Sequence, residues 1–116
     1  MEVILDTSFI LTCIKQKIDF FEELSFKGFK IFIPSQVISE LKGLAISKSE
    51  ANLALKILHS NSFKKLELNG RKTDNAIINY SKKHPEVYIA TLDNEIIKKT
   101  RNRKIAIKGK KRLSAA

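Results

Sequence analysis

The sequence predicts an α/β sandwich with a central, mainly parallel sheet covered by helices on both sides, and three observations carry that prediction. Short apolar runs of strand length alternate with amphipathic segments of roughly 10 residues. The strand-like runs are apolar on both alternate positions, the pattern of strands buried on both faces. A chain of 116 residues that is 43% hydrophobic can bury one core and is too short for two ordinary domains.

Taken in order, Glu2 to Leu5 reads as the first strand, and Asp6-Thr7-Ser8 opens a helix running to Ile14. Apolar residues at 18, 20, 21, 24 and 26, with acids between them, predict a second helix over Ile18 to Phe26, ended by Gly28. Ile31-Phe32-Ile33 is the second strand, and Pro34-Ser35 starts a helix with Val37, Ile38, Leu41 and Leu44 on its apolar stripe. Ser47 to Leu58 forms the next helix, and a weaker strand covers Lys65 to Leu68. After the Asn69-Gly70 turn signal, Thr73 is expected to cap a helix that ends near Lys83, before His84-Pro85. Val87 to Leu92 is the clearest late strand, Asp93 opens a helix through Ile96 and Ile97, and Lys104 to Ile107 is a short last strand. The folded domain is therefore expected to span 1–107, with 108–116 as a basic C-terminal tail.

Charge and composition exclude several function classes. A single cysteine, Cys13, in the apolar run Phe9 to Ile14, can supply neither a disulfide framework nor a Cys-based zinc site and reads as core filler. With four glycines and none clustered after a strand, a nucleotide-type phosphate loop is disfavoured. No run approaches the roughly 18 apolar residues of a membrane helix, and Met1 leads straight into an apolar segment without a basic leader, so a cytoplasmic, membrane-free protein is expected. The 22 Lys and Arg against 12 Asp and Glu leave +10, and nine of those cations lie from Lys98 onward with no acid among them. The first 97 residues then hold 13 basic against 12 acidic residues. Such a block suits a polyanion, RNA above all, and names Lys98, Lys99, Arg101, Arg103, Lys108, Lys110, Lys111 and Arg112 as candidate RNA contacts. The plainer alternative is a solvated tail.

In a parallel sheet every strand-to-helix turn lies at the carboxyl edge, where ligands bind. Asp6 follows the first strand, Asp93 follows the strand ending at Leu92, Asp74 lies in the first turn of its helix, and Glu40 sits about two turns into the helix after the second strand. Each Asp taken singly reads as a helix cap, and Glu40 as a solvated flank. Together they fall on one edge, where mutual repulsion calls for a hard, oxygen-seeking divalent cation, Mg²⁺ or Mn²⁺. His59 and His84 sit at helix ends with no spacing that pairs them, which argues against a histidine-based ribonuclease.

Four segments carry a family resemblance: Val3-Ile4-Leu5-Asp6-Thr7-Ser8, Ile33-Pro34-Ser35-Gln36-Val37-Ile38-Ser39-Glu40-Leu41, Thr73-Asp74-Asn75-Ala76-Ile77 and Ile89-Ala90-Thr91-Leu92-Asp93. In this order and spacing they resemble the signature blocks of PIN domains. The resemblance implies a PIN-like three-layer α/β/α sandwich and a metal-dependent endoribonuclease whose metal-binding, catalytic acids are Asp6, Glu40, Asp74 and Asp93. It also implies that Thr7 or Ser8, and Thr91, orient those carboxylates. Glu95 is a spare acid nearby, and Leu92 stands where the family often has a polar residue. Tyr80 and Tyr88 read as core aromatics that could also stack bases.

Phe20-Phe21-Glu22-Glu23-Leu24, and Glu40-Leu41-Lys42-Gly43-Leu44 followed by a Lys/Ala/Leu-rich helix, resemble the branch of the family that processes small-subunit ribosomal RNA. Ribosomal RNA maturation, with a ribosomal precursor as partner, is thus the expected role. The alternatives are the toxin half of a toxin-antitoxin pair, which would bind an antitoxin, and an RNA-binding ribosome-assembly module with weak or no cleavage. A homodimer is compatible with any of them.

Overall fold

A computed structural model describes residues 1–109 and 112–115; Lys110 and Lys111 of the basic block lie outside the described residues. Among the described residues six helices and six strands follow one another: β1 (Glu2–Leu5), α1 (Thr7–Lys15), α2 (Phe20–Phe26), β2 (Lys30–Pro34), α3 (Ser35–Leu44), α4 (Ser49–His59), β3 (Lys64–Leu66), α5 (Thr73–Lys83), β4 (Tyr88–Ala90), α6 (Asn94–Lys99), β5 (Ile105–Lys108) and β6 (Arg112–Ala115). The central sheet has the order β3-β2-β1-β4 and is parallel throughout, with Ile4 opposite Phe32 on one side and Ile89 on the other.

Alternation along each strand divides the core into two layers. Val3 and Leu5, Ile31 and Ile33, and Tyr88 and Ala90 point to one face, where they meet Phe9, Phe20, Leu24, Leu41 and Ala54 of α1 to α4. Ile4, Phe32 and Ile89 point to the other, against Ile77 and Ile78 of α5 and Ile96 of α6. Both faces are thus covered, which gives the three-layer sandwich and explains why the strands read as unbroken apolar runs. Cys13 is fully buried, and burial, with a smaller contribution from Glu23, pushes its thiol up to about 12, so it behaves as a small apolar side chain.

Three local expectations change. Helix α2 begins at Phe20 and not at Ile18, because the Asp19 carboxylate accepts the Glu22 N–H at 3.1 Å and caps it, after Lys17 turns the chain with a φ of 58°. Thr73 is the first helical residue of α5 rather than its cap; Lys72 holds the cap position, and the Thr73 hydroxyl is used elsewhere. The segment expected as a tail from Lys108 contains β6, which pairs antiparallel with β5 and buries Leu113 against the α2 side of the core. Glu23 accepts the Leu113 N–H at 2.9 Å, fixing the hairpin to α2. Burial of Leu113, the β5 ladder and the Glu23 bond together hold the segment on the domain. Among the described residues no helix is long and apolar enough to cross a membrane.

Candidate functional site

Strand β1 is flanked by β2 on one side and β4 on the other, so the chain reverses its direction of travel across the sheet at β1, and a crevice opens beyond its carboxyl end. Asp6, Glu40, Asp74 and Asp93 all line this cleft of ≈ 790 Å³. That size lies in the range of ligand-binding clefts.

Asp6 is held most firmly. Its backbone N–H donates to the Ala90 carbonyl at 2.9 Å, extending the β1–β4 ladder by one bond. It occupies the cap position of α1, yet its side chain makes no capping bond. Instead Oδ2 accepts the Thr91 hydroxyl at 2.7 Å and the Ser8 hydroxyl at 3.1 Å. Those hydroxyls in turn accept the N–H groups of Asp93 and Leu92, both at 3.0 Å. Thr91 and Ser8 therefore couple the first acid to the loop that carries the fourth, which is an orienting role and not a capping one. The same arrangement accounts for Leu92. Its backbone serves Ser8 while its side chain is exposed and lies outside the cleft lining, so an apolar residue is tolerated there.

Glu40 is reached from two other elements. The Thr7 hydroxyl at the start of α1 donates to Oε1, and the Thr73 hydroxyl at the start of α5 donates to Oε2, the latter at 2.9 Å. Asp74 accepts its neighbour's N–H, from Asn75, at 2.8 Å. Asp93 accepts the Glu95 N–H at 2.8 Å and so caps α6 while also facing the cleft. Glu95 lies on the exposed surface, 2.9 Å from Lys99, and does not line the cleft.

Burial raises the Asp6 carboxyl above the ordinary carboxylate range; the hydrogen bonds from Thr91, the Thr7 backbone and Ser8 oppose that rise, and the charge of Glu40 adds to it. A buried carboxylate beside another, with hydroxyls as its principal partners, is an arrangement that a nearby cation relieves. The donor set, carboxylate and hydroxyl oxygens only, suits a hard divalent ion. Among the described residues, no three of the acidic, histidine or cysteine side chains stand close enough to form a finished coordination shell, so the donors share a cleft without being preassembled.

The basic segment is placed differently from the acids. None of its described members lines the cleft. Lys99 pairs with Glu95, and Arg103 donates to the Tyr88 hydroxyl at 3.2 Å. Lys104 donates to the backbone carbonyl of Thr100, and Arg112 shares a shallow groove with Asp19, Glu22 and Glu23 of α2. The cations that do line the cleft are Arg71 and Lys72, which the sequence reading passed over although they directly precede Thr73-Asp74. Tyr88 is buried edge-on to Phe29 with ring centres 4.8 Å apart, Tyr80 stacks on His84 at 4.2 Å, and neither histidine lines the cleft.

Three comparisons bear on this geometry. The family described as PIN like domain matches residues 3–110. Ribonuclease VapC4 of Methanocaldococcus jannaschii is 30% identical over 116 residues, an alignment covering 91% of this chain and 87% of that protein. The solved structure of the PIN domain endonuclease Utp24 superposes with a TM-score of 0.84 at 28% identity, covering 98% of this chain and 90% of that one. The parallel sheet and the match over nearly its whole length agree, and the chain belongs to the family of PIN like domains.

Proposed function

We propose that the protein is a metal-dependent endoribonuclease whose working residues are Asp6, Glu40, Asp74 and Asp93. The observation that carries this reading is the shared cleft: four acids from four separate chain segments, at the carboxyl edge of one sheet, each anchored by hydroxyl or backbone groups. Similarity to Ribonuclease VapC4 and to the PIN domain endonuclease Utp24 supports phosphodiester cleavage as the chemistry.

In this reading Asp6, Glu40, Asp74 and Asp93 hold Mg²⁺ or Mn²⁺. When bound, the ion supplies Lewis-acid activation of water and offsets charge on the phosphodiester. Asp6 is kept in one orientation by Thr91 and Ser8, and Glu40 by Thr7 and Thr73, so little rotamer freedom remains to be lost at either carboxylate when a cation binds. No side-chain nucleophile is required, which leaves His59 and His84 outside the mechanism. Exposed cations of the C-terminal segment, among them Lys98, Arg101 and Lys108, extend the path of the RNA backbone beyond the cleft.

Incubation with single-stranded and structured RNA in Mn²⁺ or Mg²⁺, then in EDTA, tests the assignment. Products that appear only with metal are expected; cleavage that persists in EDTA contradicts it. As the cellular role we propose ribosomal RNA maturation, on the resemblance of residues 20–24 and 40–44 to that branch of the family. The second reading, a toxin held by an antitoxin, draws on the compact size and basic end of the chain. Cleavage of a ribosomal precursor at a defined position supports the first, and growth arrest on expression, relieved by a co-encoded protein, supports the second.

A further inference from the structure

We infer that Arg71 and Lys72 form the phosphate-binding rim of the cleft, and that the Gln36 side chain holds them in place there. The inference rests on the nuclease reading for what the cleft does, and on geometry for which residues draw the RNA in. Four carboxylates at one edge repel a polyanion, and Arg71 and Lys72 are the two cations among the described cleft-lining residues. Two positive charges offset half of that acidic charge at the place where a phosphodiester must approach. Among the described C-terminal cations none lines the cleft, and Lys99, which feels the charge of Asp74 from outside, is already paired with Glu95.

The placement of the pair is built, not incidental. Gln36 is on the first turn of α3, and its Nε2 donates to the Leu68 carbonyl at 2.8 Å and the Gly70 carbonyl at 3.0 Å, using both amide hydrogens on one loop. Gly70 adopts a φ of 112°, a conformation that L side chains rarely take, and this turns its carbonyl onto Gln36 just before the two cations. Beyond them Thr73 ties the start of α5 to Glu40. The loop is thus fastened at 68–70 and at 73, with Arg71 and Lys72 between the two fastenings.

Binding of a fluorescent single-stranded oligoribonucleotide, measured by anisotropy over a series of salt concentrations, tests this, with cleavage kinetics in Mn²⁺ alongside. The variants are Arg71→Gln/Lys72→Gln and a control of equal charge loss at the far end of α5, Lys82→Gln/Lys83→Gln. In the cleft variant affinity is expected to fall about tenfold or more, and the slope of log affinity against log salt to become shallower by about 1.4, as for two lost phosphate contacts. KM should rise while kcat at saturating RNA changes less, and the control should stay near wild type. Equal losses in both variants, or wild-type binding by the cleft variant, overturn the inference. If the double variant melts early, Lys72→Gln alone carries the test, with about half the change in slope expected. Should the wild type fail to cleave in metal while the slope still shifts only in the cleft variant, the RNA-binding rim stands and the nuclease reading falls.

Discussion

At the scale of single residues, Asp6 is the cleft acid whose burial opposes its ionised form. Its carboxyl is raised by burial, so in the metal-free protein its contribution to stability is fully present below the ordinary carboxylate range and is lost as pH rises through the raised value. Asp6→Asn in EDTA is therefore expected to melt no lower than wild type near pH 7, with the difference in its favour shrinking toward about pH 4. Thermal melts of both proteins at several pH values check this; a variant that melts well below wild type at neutral pH contradicts it. Thr91 should behave oppositely. Thr91→Val removes the hydroxyl that donates to Asp6 and accepts from the Asp93 N–H, leaving that N–H without this acceptor and Asp6 Oδ2 with Ser8 alone. A loss of about 1–3 kcal/mol is expected in denaturant unfolding, together with reduced cleavage. Orienting hydroxyls at Thr91 and at Thr7 or Ser8 were implied by the family resemblance, while position alone read Ser8 as a helix cap. The link from Thr7 and Thr73 to Glu40 was not foreseeable, because it joins residues 33 apart in each direction and depends on how three helices converge.

At the scale of elements, apolar runs together with cap and turn signals located the strands of the central sheet and the helices among the described residues, with boundaries shifted by a few residues where a cap such as Asp19 decided the start. Strand β6 escaped because its pattern is diluted: Leu113 is its single large apolar residue, beside Arg112 and Ser114 in a segment dominated by charge. Its contribution is measurable. Leu113→Ala should destabilise the domain by about 2–5 kcal/mol if the hairpin is an integral part of the core, whereas a frayed tail would leave unfolding unchanged. Gln36 was read as one residue of a family block, and its work became visible only once the 68–70 loop was seen against α3. Gln36→Ala should raise amide exchange in residues 68–72 with little change in the exchange of β1.

For the whole molecule, the described cations of the C-terminal segment lie outside the lining of the acid cleft, with Lys99 near enough to feel the charge of Asp74. The acids line the carboxyl edge of the sheet, whereas among the described C-terminal cations Lys99 pairs with Glu95, Arg103 with Tyr88, and Arg112 lies against α2, while Lys98, Arg101 and Lys108 are exposed outside the cleft lining. Counting charge along the chain suggested a polyanionic partner but could not place the contact surface, since Arg71 and Lys72 sit in the nearly neutral first 97 residues. A cation bound by the acid cleft adds stability as RT ln(1 + [M]/Kd), so Mn²⁺ should raise the melting temperature of wild type and not that of Asp6→Asn. The most direct test of the central assignment is single-turnover RNA cleavage at saturating Mn²⁺ by wild type and Asp6→Asn, each checked for fold by circular dichroism. A rate reduced by about 100-fold or more in the variant is the result expected of a carboxylate-held metal site, and an unchanged rate in a folded variant would contradict it.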